Sequence, residues 1–186
     1  MKKWSEIKQA TLNKLFLDED EAQQQGYLGK LQYLANEGLN VIANGVKPRI
    51  AKFETVVEEK EGKLVEMPED FLSFADMVYY LDGVENPELI YVGDKEVMLP
   101  KNGKYVIYYN ALWNDITKED ISKDVVLKID ASVLNCLPTY MASQLLSQDD
   151  IQRSTILKNE FEMMLARLDT NIMYQQNHFK STGGWY

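Results

Sequence analysis

Residues 124–173 hold the strongest structural signal in the chain, and their sequence is DVVLKIDASVLNCLPTYMASQLLSQDDIQRSTILKNEFEMMLARLDTNIM. The segment from Asp124 to Asp130 is rich in β-branched residues and predicts a strand, after which the Asp130 side chain can cap a helix. Pro138 either opens a new helix at its first position or kinks a helix that starts at Ala131. The sequence therefore changes from strand to helix at Asp130.

A second helix is predicted after Asp149 and Asp150, because negative charge stabilises the N-terminus of a helix. Apolar residues follow at spacings of three and four, as on one face of an amphipathic helix. These residues are Leu157, Phe161, Met164, Leu165, Leu168 and Ile172. A pair of helices is therefore expected over residues 131–173.

Residues 1–48 predict another pair of helices. The first has an apolar stripe formed by Trp4, Ile7, Leu12, Leu15 and Phe16. The acidic cluster 18–21 is expected to be a solvated turn, and the second helix should run from about Gly26 to Asn44. Gly38 lies inside this helix and costs about 1 kcal/mol relative to alanine. A close contact with another helix would explain that glycine.

The pattern changes after residue 48, and residues 49–130 predict an antiparallel β unit. Residues 49–58 alternate like a strand and are expected to form a hairpin with residues 64–67. A second hairpin should join residues 89–92 to residues 97–99.

The segment KYVIYY, residues 104–109, has the highest β propensity in the chain. It is entered through a turn at Lys101-Asn102-Gly103. The overall prediction is an α+β fold: N-terminal and C-terminal helices form a bundle, and the antiparallel β unit is inserted between them.

Residues 174–186, YQQNHFKSTGGWY, are expected to form an extended docking tail. The segment is polar and contains glycine, yet it includes the large aromatic residues Phe179, Trp185 and Tyr186. Exposed aromatic side chains of this size are typical of contact sites. We therefore expect the segment to dock, either on this chain or on another one, through these three residues and His178.

Composition and charge exclude several classes of function. A chain of 186 residues with 45% hydrophobic residues is globular. Its formal net charge of −9 disfavours nucleic-acid binding and anionic membranes, since both depend on Lys and Arg. No apolar run reaches the roughly 20 residues that span a bilayer, and no signal peptide is evident. We expect a protein that stays in a cytoplasm.

The sequence gives little support to an enzyme. His178 is the only histidine and lies in the expected tail, and Cys136 is the only cysteine. No nucleotide, zinc or calcium motif occurs, so we expect no cofactor and no metal. Cys136 is most simply a small buried residue. The acidic pairs Glu69/Asp70 and Asp149/Asp150 occur where turns and helix starts favour acids.

Five tyrosines of the β unit could form a stacking platform for single-stranded nucleic acid: Tyr79, Tyr80, Tyr105, Tyr108 and Tyr109. Such platforms need basic residues between the rings. Only Lys101 and Lys104 are close in sequence, so packing within the sheet or a protein contact is favoured.

Two segments are distinctive in the predicted order of helices and strands along the chain. One is the turn Met67-Pro68-Glu69-Asp70-Phe71 after the first hairpin, and the other is the closing pair LPTYMASQLLSQDDIQRSTILKNEFEMMLARL, residues 137–168. With the N-terminal helix pair, this order resembles the head-to-tail connector adaptor proteins of tailed bacteriophages. The β region is larger than the smallest of these adaptors have.

The resemblance implies a structural virion protein with no catalytic activity. Its partners would be the portal protein, neighbouring copies in a homo-oligomeric ring of twelve, and a downstream tail protein. DNA would pass through the channel without specific binding, and no membrane would be involved. The ring would lie in the neck of the virion and assemble in the cytoplasm of the bacterial host.

Three other functions stay open from the residues alone. The chain could be another neck or tail structural protein of a phage. It could be an acidic mimic of DNA that blocks a host nucleic-acid enzyme, although its acids alternate with lysines along the helices. It could also be an enzyme that uses a carboxylate pair on the β unit.

Overall fold

The computed structural model of the chain describes residues 1–58, 62–85 and 90–177. The chain divides into two compact units, a helical unit formed by Met1–Lys47 together with the chain from Asn114 onward, and a β unit, Pro48–Trp113. The architecture is α+β, with an antiparallel β unit inserted into a helical bundle. The predicted fold class is confirmed.

The described part of the helical unit contains six α-helices. They are α1 Trp4–Leu15, α2 Glu19–Gln24, α3 Leu31–Gly45, α4 Lys118–Lys123, α5 Ala131–Leu145 and α6 Ile151–Asn177. A 3-10 turn, Leu28–Lys30, precedes α3. The helix α5 is central, since α1, α3 and α6 all pack on it. Its Leu134, Leu137 and Met141 are fully buried, as expected for a helix surrounded by others.

The helix α5 begins where the sequence predicted. Asp130 is its N-cap and accepts a hydrogen bond from the backbone N–H of Ser132 at 2.7 Å, which satisfies one of the free donors at the helix start. Pro138 lies inside the helix. The alternative of one helix running from Ala131 is therefore the correct one.

The helix α6 also begins as predicted, because Asp150 Oδ1 accepts from the backbone N–H of Arg153 at 3.0 Å. Leu157, Phe161 and Leu168 of the predicted stripe are buried. The helix continues to Asn177, beyond the predicted end at residue 173. No glycine or proline interrupts the sequence there, and residues such as methionine and glutamine favour the helix.

The acidic cluster 18–21 does not form the expected solvated turn. Asp18 accepts from the backbone N–H of Glu21 at 2.8 Å, and Glu21 accepts in return from the backbone N–H of Asp18 at 3.1 Å. This reciprocal capping box starts α2. Acidic side chains in the first turn of a helix also meet its positive dipole.

Residues 114–130 belong to the helical unit, whereas the sequence placed them with the β unit. The expected strand from Asp124 to Asp130 is wrong: the structure has only an isolated bridge between Val126 and Lys3 there. Ile116 is buried, and its backbone N–H donates to Asn36 Oδ1 at 2.8 Å. Contacts with α1 and α3 therefore hold this segment in place. Such long-range contacts are not evident from the pattern of neighbouring residues in the sequence.

The described part of the β unit contains two antiparallel sheets. The strands are β1 Arg49–Val57, β2 Lys63–Glu66, β3 Phe71–Leu81, β4 Val84–Glu85, β5 Ile90–Tyr91, β6 Glu96–Leu99 and β7 Gly103–Ala111. One sheet has the order β1-β7-β3-β4, and the other has the order β2-β6-β5. The predicted hairpin of β5 with β6 is confirmed, and β7 is an inner strand of the larger sheet.

The predicted hairpin between residues 49–58 and 64–67 is wrong, because β1 pairs with β7 and β2 pairs with β6. The pairing of β1 with β7 places Ala51 opposite Tyr109, both of them buried. A nine-residue ladder with matched buried faces stabilises this arrangement more than a short hairpin would.

The long strand β3 was not predicted. Its pairing with β7 shifts register between Phe71 and Ser73 and again between Ser73 and Val78. A bulge of this kind interrupts the alternation of apolar and polar residues by which a strand is recognised in a sequence.

Asp70, in the turn before β3, links three parts of the β unit. It forms an ion pair with Arg49 of β1, and Tyr109 Oη of β7 donates to Asp70 Oδ1 at 2.8 Å. Burial and the Asp70 carboxylate raise the pKa of Tyr109 to about 12. The predicted turn at residues 68–70 thus also anchors the sheet, and Phe71 after it is buried, as expected.

Candidate interaction site

The nucleophile and metal-ligand candidates do not form a site in the described residues. No group of three or more His, Cys, Asp or Glu side chains that could hold a metal ion occurs in this part of the chain. Cys136 is buried, its Sγ donates to the Ser132 carbonyl at 3.3 Å, and burial raises the pKa of its thiol. A buried thiol of this kind is a poor nucleophile.

Three of the four carboxylates that the sequence analysis singled out have structural partners. Asp149 accepts a hydrogen bond from Tyr27 Oη at 2.8 Å, which connects the start of α6 to the segment before α3. Asp150 caps α6, and Asp70 holds the β sheet as described above. These contacts favour the structural interpretation of both acidic pairs over a general acid and base.

The tyrosines of the β unit serve mainly to pack the sheet. Tyr105 and Tyr109 are buried, and Tyr80 and Tyr108 lie edge to face with ring centres 6.3 Å apart. Paired rings of this geometry stabilise a sheet by cross-strand contact. They do not form a row of exposed faces for bases to stack on.

Phe16 is the most unusual residue of the helical unit. It follows α1 in the left-handed conformation, with φ 59° and ψ 37°, which costs a bulky residue about 1 kcal/mol or more. Its backbone N–H donates to the Asn13 carbonyl at 3.3 Å and so closes the helix end. The side chain is 82% exposed. Its predicted place in the apolar stripe of α1 is wrong, because the helix ends one residue earlier.

Arg153, in the first turn of α6, fixes the end of α1. Its Nη2 donates to the carbonyls of Lys14 at 3.1 Å and Leu15 at 3.3 Å, which have no partner within their own helix. Its guanidinium carbon lies 4.9 Å from the centre of the Phe16 ring, in a cation–π contact. Lys14 Nζ also pairs with Glu160 Oε1 at 2.8 Å. The Phe16 ring is therefore held in place above α6.

An open groove of about 390 Å³ lies beside this ring, and we call it the Phe16 groove. It is lined by Asn13, Lys14, Phe16, Arg153, Ile156 and Leu157. Ile156 is 65% exposed, while Leu157 is buried below it. The volume is at the small end of ligand pockets and matches one or two side chains of a partner.

A second exposed apolar residue lies farther along α6, beyond the polar residues Asn159 and Glu160. Met163 is 60% exposed and lies seven residues after Ile156, two turns along the same face. Clustered exposed apolar side chains of this size mark interaction sites in proteins that are otherwise polar outside. The end of α1 and the first turns of α6 are therefore the candidate interaction site of the helical unit.

The exposed face of β1 differs from this groove. Its apolar residues Ile50 and Val56 lie on either side of the charged pair Lys52 and Glu54. Glu54 pairs with Lys52 and, at 3.0 Å, with Lys104 of β7. Charged side chains along the edge strand of a sheet are typical of a surface that faces water.

The predicted contact residues Phe179, Trp185, Tyr186 and His178 lie outside the described residues. Their contact with a neighbouring subunit or with the portal therefore stays a prediction. The Phe16 groove was not predicted from the sequence. One signal was present: Ile156 falls off the apolar stripe of α6 while being strongly apolar itself.

Comparison with known proteins assigns no family. No protein-family model matches the chain, and no curated protein matches its sequence. Among the described residues, no helix combines the length and apolar character needed to cross a membrane. The resemblance to phage connector adaptors therefore stays a prediction.

Proposed function

We propose that this chain is a structural virion protein, the subunit of a head-to-tail adaptor ring in the neck of a tailed bacteriophage. The ring binds the portal, bridges it to the tail and leaves a channel through which DNA passes. The bundle with its inserted β unit supports the proposal, because this is the order of parts expected for such adaptors.

The observation that supports the proposal most strongly is the Phe16 groove. Phe16 is strained and 82% exposed, which costs the isolated chain free energy in two ways. Burial against a partner recovers about 2 kcal/mol for a side chain of this size. A protein that assembles with others therefore gains from this residue.

The charge of the chain also suits a channel for DNA. Its formal net charge is −9, and affinity for DNA depends on the number of Lys and Arg side chains that reach phosphates. A ring of such subunits would make few attractive contacts with a DNA duplex that passes through it. The net negative charge favours a structural channel over a protein that grips nucleic acid.

The first test is the mass of the full chain, measured by light scattering on a sizing column, alone and with portal rings of the same phage. We expect the portal peak to gain the mass of many copies of the 21.5 kDa chain. The gain should persist at about 0.5 M salt, where screening removes non-specific charge contacts. Portal rings that elute unchanged beside a separate monomer would contradict the proposal, and inhibition of host nucleic-acid enzymes would then favour a DNA mimic.

A second test concerns the segment after α6. Because the helix extends to Asn177, the informative deletion removes residues 178–186 and leaves the helix intact. We expect the shortened protein to keep the far-ultraviolet circular dichroism of the full chain and to fail to join particles in infected cells. Normal particle assembly with the shortened protein is incompatible with a docking role for Phe179, Trp185 and Tyr186.

A further inference from the structure

Within residues 1–58, 62–85 and 90–177, the Phe16 ring keeps most of its surface exposed beside the groove. Arg153 also lines the groove, and its guanidinium carbon lies 4.9 Å from the centre of the Phe16 ring. Phe16 and Ile156, which line the same groove, are 82% and 65% exposed. Aromatic rings pair best with their centres about 4.5–7 Å apart, so a second aromatic side chain fits this position.

The chain itself contains a segment of matching chemistry. Residues 178–186, which we call the aromatic segment, include Phe179 and Trp185. Tryptophan is also the best cation–π partner for an arginine such as Arg153. The segment has one charged side chain, Lys180, so charge adds little to a contact that would be mainly aromatic.

We propose that the Phe16 groove of one copy binds Phe179 and Trp185 from the aromatic segment of a neighbouring copy. The expectation that these contacts close a ring depends on the proposed function. The pairing rests on the lining of the groove and on the composition of the segment.

The reach of the chain disfavours docking of Trp185 into the groove of its own copy. From Ile156 to Asn177, α6 spans about 32 Å at 1.5 Å per residue. Trp185 follows Asn177 by eight residues, which extend over at most about 28 Å. Reversing direction uses at least two of them, so the return path covers only about 20 Å. Phe179, two residues after the helix, is farther still from its own groove.

The two binding surfaces thus lie at opposite ends of α6 and differ from each other. A contact between different patches is heterologous, and repetition of it produces either a closed ring or an open filament. A symmetric dimer would instead join one groove to another. This difference makes the proposal testable with pairs of variants.

The test uses full-length chains in sedimentation experiments at up to about 1 mM, where a contact with a millimolar Kd is half formed. The first variant, Phe16→Asn, removes the groove ring and keeps the aromatic segment. The second variant combines Phe179→Ser with Trp185→Ser and keeps the groove. Tyr33→Asn is the matched control, since Tyr33 is an exposed aromatic residue of α3 outside the groove.

We expect the wild type and Tyr33→Asn to associate with increasing concentration, and each of the two other variants alone to stay at the 21.5 kDa of one chain. Their mixture should form a 1:1 complex of twice that mass. The intact segment of the Phe16→Asn variant can bind the intact groove of the other variant, and no further copy can then add. Thermal unfolding of each variant by circular dichroism confirms that it is folded.

Three outcomes overturn the proposal. If the wild type stays monomeric at the highest concentration, the proposed contact between copies does not form. Association of the Phe179→Ser/Trp185→Ser variant with itself shows a groove-to-groove dimer. A mixture without the 1:1 complex shows that segment and groove do not meet. Binding of the same variants to portal rings is measured in parallel, so the adaptor function can stand when this inference fails.

Discussion

Gly38 of α3 and Tyr140 of α5 approach so closely that a Cβ atom on Gly38 would lie 2.9 Å from Tyr140 Cδ1. The Tyr140 ring also packs on Phe161 of α6, with ring centres 5.1 Å apart, and so cannot move away freely. The absence of a side chain at Gly38 therefore lets α3 pack on the central helix. This contact accounts for a glycine inside a helix, where it costs about 1 kcal/mol relative to alanine.

The first prediction is that Gly38→Ala destabilises the helical unit. Overpacking costs about 1–3 kcal/mol and outweighs the gain of about 1 kcal/mol in helix propensity. We expect the melting temperature to fall by several degrees in circular dichroism. Gly45→Ala is the control, since no heavy atom lies within 4 Å of its added Cβ. Equal gains in stability from the two substitutions would contradict the close contact.

The second prediction contrasts two neighbouring residues at the end of α1. Phe16→Asn should change the free energy of unfolding by less than about 1 kcal/mol, because relief of the left-handed strain offsets loss of the cation–π contact. Leu15→Ala should cost about 2–5 kcal/mol, since Leu15 is buried in the bundle. Urea denaturation of both variants measures the difference. A large loss from Phe16→Asn would show that its ring belongs to the core.

The third prediction concerns the anchor of the β unit. Asp70→Ala removes the partner of Arg49 and of Tyr109 Oη and should cost about 2 kcal/mol, since partly buried polar groups lose their bonds. Glu69→Ala changes an exposed neighbour in the same turn and should stay within about 0.5 kcal/mol of the wild type. Near-ultraviolet circular dichroism, which reports on the packed tyrosines, follows both variants during heating. Equal melting curves would exclude an anchoring role for Asp70.

The fourth prediction is a pH dependence at the start of α5. Burial alone would raise the pKa of Asp130, but hydrogen bonds from Ser132 and Lys47 lower it to about 2. A pKa below the ordinary value means that the ionised carboxylate stabilises the folded state above about pH 4 and loses this effect as the pH falls toward 2. Asp130→Ala should therefore cost about 1 kcal/mol at pH 7.

The measurement for Asp130 is the difference in unfolding free energy between wild type and variant from pH 7 to pH 2. We expect the difference to shrink below about pH 4. Asp130→Asn is the control, because asparagine also caps helices but has no charge to lose. A difference for Asp130→Ala that is constant over this range would show that the charge contributes nothing.

Local signals predicted the starts of α5 and α6, whereas α3 begins at Leu31 and not at about Gly26 as expected. Asp130 and Asp150 mark helix starts through side-chain hydrogen bonds to residues two or three positions away. The apolar spacing of α6 places Leu157 and Phe161 inside. These features depend on near neighbours in the chain, so the sequence contains them directly.

Strand pairing was predicted less well, because it depends on distant residues. The partner of β1 is β7, so Phe53 lies opposite Ile107, and no local pattern specifies that choice. The bulged strand β3 has no clean alternation. The segment at residues 114–130 is held by side chains of α3, such as Asn36, which lie far away in sequence.

The residues of the candidate site were likewise predicted only in part from the sequence. The aromatic residues of the segment after α6 are evident from composition, whereas Phe16 could be recognised only once its backbone conformation and the position of Arg153 were known. Helix type, helix starts, charge and the α+β class follow from short-range preferences of the residues themselves. The tertiary structure alone decided three features: the Phe16 groove, the pairing of β1 with β7 and the close approach of Gly38 to Tyr140. Each depends on contacts between residues far apart in the sequence. Local preferences allow several such arrangements, and close packing of the core selects one of them.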